Sequence, residues 1–385
     1  MIIKYLRELW KIENPRKDIS LIVITLLLSA TLALLPSPYK NPNLKDTIRA
    51  KAEIIEVDNS NFHQVGLVKI GSQGLKVKIL NGPFKGTISH AVNHFKGIME
   101  IDKVFEVGDT ALVVINHAGD RIIHINTVDH YRLPYMLALF LIFCGVLLLF
   151  AGWTGLKALV SFAFVVLLIW KGLVPMLLLG ANPIPVSLGI TLLVAISACL
   201  SAGGISKRGF TALLGCASGI GLTCLLALAF GMRLKLHGSV MPFTESLLYA
   251  GFTHLDITSI FLASTFIASS GAIVDVAIDI SASQDEIVRV HPNIPQRELL
   301  FSGLSVGKSV IGTMSNTLLL AYSGGYMGLL LTLSALGIPT INIVNLRYVS
   351  AEILHTLVGS IGMTMVAPLT ALIGSFIFTK KYTII

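Results

Sequence analysis

The chain has 385 residues, 54% of them hydrophobic and only 13% charged, with a mean hydropathy of +0.79 and a formal net charge of +8. Soluble domains carry about a quarter of their residues as Asp, Glu, Lys and Arg, and disordered chains combine low hydrophobicity with high charge, so both classes are excluded. A nucleic-acid surface is excluded as well, because the Lys and Arg residues sit at segment ends without interleaved aromatics; they read as topology signals of an integral membrane protein whose first partner is the lipid bilayer.

Residues 1–18 form a basic head, with five Lys/Arg against three Asp/Glu. The apolar run 19–35 follows Arg16 and Lys17 and ends at Pro36. It is long enough to span and longer than most signal-peptide cores, so it reads as an anchor with the N-terminus in the cytoplasm.

Residues 40–132 hold 12 Lys/Arg and 10 Asp/Glu and form a small extracytoplasmic β-domain. Alternating stretches at 48–57, 111–115 and 121–128 are separated by turn signals, among them Asn81-Gly82-Pro83, Gly108-Asp109 and Gly119-Asp120. In the last stretch Ile122, His124, Asn126 and Val128 share one face. Short strands at this spacing predict a compact barrel, OB-like or SH3-like. His90 and His94 at i, i+4, with His63, His117, His124 and His130, raise metal capture as an idea, but histidines spread over a β-domain read as surface residues and no metal site is assigned.

Residues 133–385 hold only 20 charges and form a multi-span body. Spans are predicted near 133–151, 158–179, 184–201, 209–232, 255–280, 301–322, 326–344 and 358–378, which with the anchor makes about eight to nine transmembrane helices. The predicted inside segments carry 11 Lys/Arg and the short outside ones four. Nine spans leave Lys380 and Lys381 outside, against that bias. In 346–357, Leu346, Val349, Ile353, Leu354 and Leu357 oppose Arg347, Ser350 and Glu352, which predicts a short amphipathic helix on the inner surface carrying Glu352 and His355. One E-x-x-H is half of a di-metal motif, so again no metal or other cofactor is assigned. Cys144, Cys199, Cys216 and Cys224 all lie in apolar runs and are expected to be buried thiols.

Ionisable groups inside spans usually carry a role, because each costs about 2.5–3.5 kcal/mol at mid-bilayer. Asp275 and Asp279 share a helix face with Ser264, Ala268 and Gly271 or Ala272, a seam suited to a cation or proton. Lys308 lies within the next span and is expected to pair with one of the two aspartates. The polar run from Gly312 to Thr317 supplies Thr313, Ser315 and Asn316, either as a locally unwound, cavity-lining stretch or as a packing face with interhelical hydrogen bonds. Gly303-Leu-Ser305-Val-Gly307 matches a nucleophile elbow in letters only, since an apolar span is not a strand-to-helix turn; it also reads as a G-x-x-x-G packing motif, as does Gly215-x-x-x-Gly219. No complete nucleophile–base pair is present and no ATP-binding loop, so neither an enzyme nor an ATP-driven pump is expected.

The chain resembles the YibE/F family of bacterial multi-pass membrane proteins. In the polar domain the resemblance rests on Gly82-Pro-Phe-Lys-Gly86, Asn93 and Val107-Gly-Asp109. In the body it rests on Gly271-Ala-Ile-Val-Asp275, Glu298-Leu-Leu-Phe-Ser-Gly303, Gly307, Gly312 through Tyr322, Ala351-Glu352-Ile353 and Gly359-Ser-Ile-Gly362. The family implies a cell-membrane location and a small extracytoplasmic domain before a multi-span body; it implies no established activity. Ser309 stands where the family usually has Asp.

The expectation is a secondary transporter or permease for a small solute or ion. Asp275 carries the coupling ion, Asp279 assists, Lys308 is the charge partner, and Thr313, Ser315 and Asn316 line the path. The competing expectation is a non-transporting envelope scaffold or sensor whose β-domain binds an extracytoplasmic protein. A homo-oligomer fits either one.

Overall fold

The structure, a computed structural model, describes residues 15–36, 47–66, 68–99 and 101–379. Most of the basic head, residues 40–46, and Lys380 and Lys381 lie outside the described residues. The chain divides into two compact units, 38–146 and a second made of 1–37 with 147–385.

The first unit contains the barrel. Its strands are β1 (Thr47–Asp58), β2 (Phe62–Val65), β3 (Val68–Ile79), β4 (Ile88–Lys96), β5 (Thr110–Ala118) and β6 (Arg121–His130). The sheet order is β1-β5-β6-β4-β3-β2, and β1 also pairs with β3, so five strands close and β2 hangs outside the ring. All pairings are antiparallel except β4 with β6. Of the two barrels expected, this is the OB-like one. The long strand β1 makes closure possible. Residues 47–53 pair with β5 and 52–58 with β3, and a register shift at Ile54/Glu56 bends the strand between them.

Alternation then decides what fills the barrel. Ala52, Ile54, Val77, Ile79, Ala111, Val113, Ile115 and Ile125 are almost wholly buried. On β6 it is Ile125 and Thr127 that face inward, while His124 and Val128 are exposed. Two buried amides pin Lys103 and Phe105, in the segment before β5, against the barrel. Gln73 donates to the Phe105 carbonyl (3.0 Å) and accepts from the Phe105 N–H (3.1 Å), and Asn93 donates to the Lys103 carbonyl (2.7 Å). Phe105 is thereby seated in the core, 1% exposed.

The helices are α1 (Pro15–Leu34), α2 (Leu133–Leu167), α3 (Val174–Leu178), α4 (Pro183–Gly203), α5 (Lys207–Arg233), α6 (Thr244–Tyr249), α7 (Ile257–Val290), α8 (Gln296–Gly325), α9 (Met327–Ala335), α10 (Thr340–Asn345) and α11 (Arg347–Thr379). Among the described residues five helices are long and apolar enough to cross a membrane, or six if the pair α8 and α9, bent by 68°, counts as one; α1 is a shorter apolar helix. Two predicted spans, 133–151 and 158–179, form one 46-residue helical run, Leu133–Leu178, broken at Gly152 (φ 50°, ψ −121°) and including a π-helical turn at Leu168–Leu173. The predicted span 326–344 does not form a long helix. It folds as α9 and α10, of nine and six residues, too short to cross.

Helices α5, α7 and α11 pack on one another, with α4 against α5 and α7 and with α8 against α7 and α11. Small residues set the spacing. A Cβ added at Gly362 would run into Thr223 Oγ1, one at Gly215 into Thr370 Oγ1, and one at Gly374 into Gln284 Oε1. Such close approach is the usual way helices associate in an apolar solvent. Gly215, Gly219, Gly303 and Gly307 all serve contacts within the chain.

Candidate functional site

The first correction concerns the end of the chain. The amphipathic segment 346–357 is not a separate surface helix. It is the first third of α11, whose 33 residues run without interruption into the last predicted span. Because α9 and α10 do not cross, α11 begins at the end of the bundle where α8 finishes and α7 starts. It runs parallel to α7: His355 meets Phe261 and Ser264, and Ala371 meets Gln284.

This arrangement turns Glu352 and His355 inward. Glu352 lines a cavity of about 250 Å³ with Leu319, Ser323 and Tyr326 of the α8–α9 corner and Val349 and Thr356 of α11. Tyr326 and the Glu352 carboxylate line the same cavity, and Glu352 Oε1 is buried without a partner. One turn further along α11, the His355 ring stacks on Phe261 at 4.9 Å, faces Tyr322 at 6.0 Å and shares a 3.4 Å contact with Ser264 Oγ. The Tyr322 hydroxyl is also buried and unpartnered. The cavity is thus lined by one carboxylate, the Tyr326 phenol and the Ser323 and Thr356 hydroxyls among apolar groups, with the Tyr322 phenol and the His355 imidazole outside its lining. Such a constellation can hold a cation or pass a proton, since each buried oxygen left unpaired costs about 1–3 kcal/mol until something satisfies it. Among the described residues no three His, Cys, Asp or Glu side chains converge as a metal-ligand set.

The other predicted residues lie elsewhere. Asp275 and Asp279 are exposed on α7, on the face opposite Ile273, Ile280 and Gln284, which carry its contacts with neighbouring helices. Lys308 is exposed on α8 and lines the α8–α11 groove beside Thr364 and Pro368. The expected Lys308–Asp275 or Lys308–Asp279 pair is not made, because α8 itself stands between the two flanks. Helix α8 is continuous through 312–317, so the polar run is not unwound. Thr313 and Ser315 bond back to the Val310 and Ile311 carbonyls of their own helix, and Thr313 and Asn316 face outward. The break comes ten residues after Asn316, at Tyr326, after Gly324 and Gly325.

In the barrel, His90 and His94 are both exposed on β4. Their i, i+4 spacing falls on a strand, which holds them about 13 Å apart, too far to share an ion. His130 lies on Phe105 (4.6 Å between rings) and 3.7 Å from Asp109. Asp102 receives the backbone N–H groups of Lys96 (2.7 Å) and Ile98 (2.9 Å). Burial works to raise its carboxyl, but these N–H groups outweigh that and hold it below the ordinary aspartate range.

Three residues of interest escaped the sequence reading. Tyr322 and Tyr326 sit where a span appeared to end and another to begin; the signal for the corner was Gly324-Gly325. Gln284, fully buried, donates to the Ala371 carbonyl (2.9 Å) and the Leu299 carbonyl (3.3 Å) and so ties α7 to α11 and to the start of α8. Set between Ser283 and Asp285-Glu286, it reads in the sequence as part of a polar helix end.

A family model described as YibE/F-like protein matches residues 139–380, and one described as YibE/F family N-terminal domain matches residues 47–130. No curated protein and no solved structure matches the chain. The two matches take in the barrel and nearly all of the helical body, and the chain belongs to the YibE/F family.

Proposed function

We propose that this protein is a secondary transporter or permease for a small solute or ion in the bacterial cell membrane, with Glu352 as the group that binds the cation or proton. The observation that supports it is the half-buried Glu352 carboxylate, with one oxygen unpartnered, in a cavity beside a helix broken by 68°. Broken helices next to intramembrane acids are how transporters expose backbone and charge to a substrate.

The proposed topology has eight crossings. Helix α1 is the first; the run Leu133–Leu178 is twice as long as a bilayer core needs and supplies two, divided at Gly152; α4, α5, α7, α8 and α11 supply the rest. Charge supports this count. Lys157, Lys207, Arg208, Arg289 and Arg297 gather at one end of the bundle, where α11 also finishes just before Lys380 and Lys381. Arg233, Lys235 and Arg347 belong to the other end. With the first end cytoplasmic, both termini lie inside, the basic tail obeys the positive-inside rule, and the β-domain is extracytoplasmic. The Glu352 cavity then opens near the outer side.

The test is a ligand-dependent thermal-stability screen of the purified full chain with divalent cations, inorganic anions, amino acids and a pH series. Wild type, Glu352→Gln and Asp275→Asn are compared. A ligand present at 100 times its Kd stabilises the native state by about 2.7 kcal/mol. Stabilisation by at least one ligand is expected in wild type and Asp275→Asn and lost in Glu352→Gln. Vesicle uptake of that ligand should follow the same order. Retention of both in Glu352→Gln would overturn the assignment, and no stabilisation by any ligand would favour the scaffold.

A further inference from the structure

Three ionisable side chains on the outside of the helical body have no ion-pair partner among the described residues. Lys308 lies on the α11 flank of α8; Asp275 and Asp279 lie on α7, the other flank. None of them takes part in an ion pair with another described residue. Left facing hydrocarbon, each would cost about 2.5–3.5 kcal/mol on insertion scales.

Between the flanks α8 presents Ser305, Ser309, Gly312, Thr313 and Asn316, all exposed. These are the residues by which membrane helices pack, and the chain does not use them so. A Cβ added at Gly312, or at Gly271 on the outward face of α7, meets nothing within 4 Å, whereas Gly303 and Gly307 of the same helix α8 are filled by Gln284, Ala371 and Ala367. Height matters too. Gly303 meets Gln284, and Gly307 approaches Ile280, so Lys308 and Asp279 stand level, with Asp275 one turn away.

We propose that a second copy of this chain covers this face, as a parallel dimer packed α8 against α8 about a two-fold axis along the helices. A half-turn about such an axis keeps every residue at its height and brings the α11 flank of one copy against the α7 flank of the other. Lys308 of each copy then meets Asp279 of its mate, with Asp275 beside it, so charges that cannot meet within one chain are paired twice across the axis. Ser305, Ser309, Gly312 and Asn316 form the centre of the contact. An anionic lipid would satisfy Lys308 but leave both carboxylates without a partner, so it is the weaker occupant. The proposal needs the membrane location argued above but not the transport assignment.

The experiment uses two differently tagged full-length copies co-expressed in one membrane, with co-purification and subunit counting in lipid nanodiscs over a range of lipid dilution. Wild type should form dimers. Lys308→Glu should lower the dimer fraction at least tenfold at fixed dilution, and Lys308→Glu combined with Asp279→Lys should restore it. That rescue separates pairing from misfolding. Asn316→Leu should weaken the dimer while leaving the helical content unchanged. A monomeric wild type, or a dimer indifferent to Lys308→Glu, would overturn the proposal. So would a wild-type monomer that carries anionic lipid and loses it in Lys308→Glu, which would assign the groove to lipid.

Discussion

The two units bury different mixtures of side chain. The barrel hides Ile54, Val77, Ile79, Phe105, Val113 and Ile115 and shows His90, His94 and Lys76. The helical body hides Gly215, Ala277, Thr223, Ser269, Gly362 and Thr370 alongside Phe261, Phe266, Ile273 and Met363, and shows Phe150, Leu225 and Phe376. In water, burial of large apolar groups is the driving force, so the largest side chains go inside. Among helices this apolar, hydrophobicity no longer separates one face from another. Close approach does, and it places small side chains where the helices touch, around the larger buried ones.

The largest effect is therefore expected in the barrel. Phe105→Ala should cost about 3–5 kcal/mol, a large share of a small domain's stability. Hydrogen exchange of the full chain should show the amides of β3 and β5 losing protection while the helices keep theirs. If protection falls equally in both units, the idea of two separately stabilised units is wrong.

The two fully buried glutamines sharpen the contrast. Gln73 uses both ends of its amide, accepting from Phe105 N–H and Asn93 and donating to Asn59 and the Phe105 carbonyl. Gln73→Leu leaves several of these groups unpaired and should destabilise the barrel by about 2–3 kcal/mol. Gln284 uses only its Nε2, and its Oε1 is already without a partner. Gln284→Met should cost about 0.6–1.7 kcal/mol, the range of interhelical hydrogen bonds measured in membranes. Thermal melts read separately by exchange in each unit give the ratio; equal losses would contradict the contrast.

The smallest effect is one of pH. The folded carboxyl of Asp102 is depressed, so its contribution is present above the unfolded value and is lost as pH falls through the folded one, below about pH 4. Asp102→Asn should make the barrel slightly weaker at neutral pH and less sensitive to acid. The melting temperature of the barrel between pH 3 and 7 measures it, and an unchanged slope would discount the Lys96 and Ile98 N–H bonds.

The same contrast explains how far residues could be read before the fold was known. A strand's period of two places each side chain in or out, so the barrel, its OB-like alternative and its turns were legible. The inward face of β6 was harder, because register shifts at Leu112/Val113 and Asn116/His117 move the pairing. In the body every face is apolar, so Asp275 and Asp279 were rightly placed together on one helix face but that face could not be assigned inside or outside. Glu352 and His355 were seen as a pair; their burial depends on α11 returning beside Tyr322, a long-range contact that no local pattern records.

The anchor carries a consequence for how the protein is made. Helix α1 is held at both ends by residues far along the chain. Asp18 lies 3.8 Å from Lys157, and the Leu35 carbonyl accepts from Lys171 Nζ (3.0 Å), 136 positions later. At about 5–20 residues per second of synthesis, α1 waits roughly seven to thirty seconds for these partners. The whole barrel is made in that interval. Assembly of the bundle is thus timed by translation of the β-domain. An insertion in that domain would lengthen the wait of α1 without touching a single contact in the finished protein.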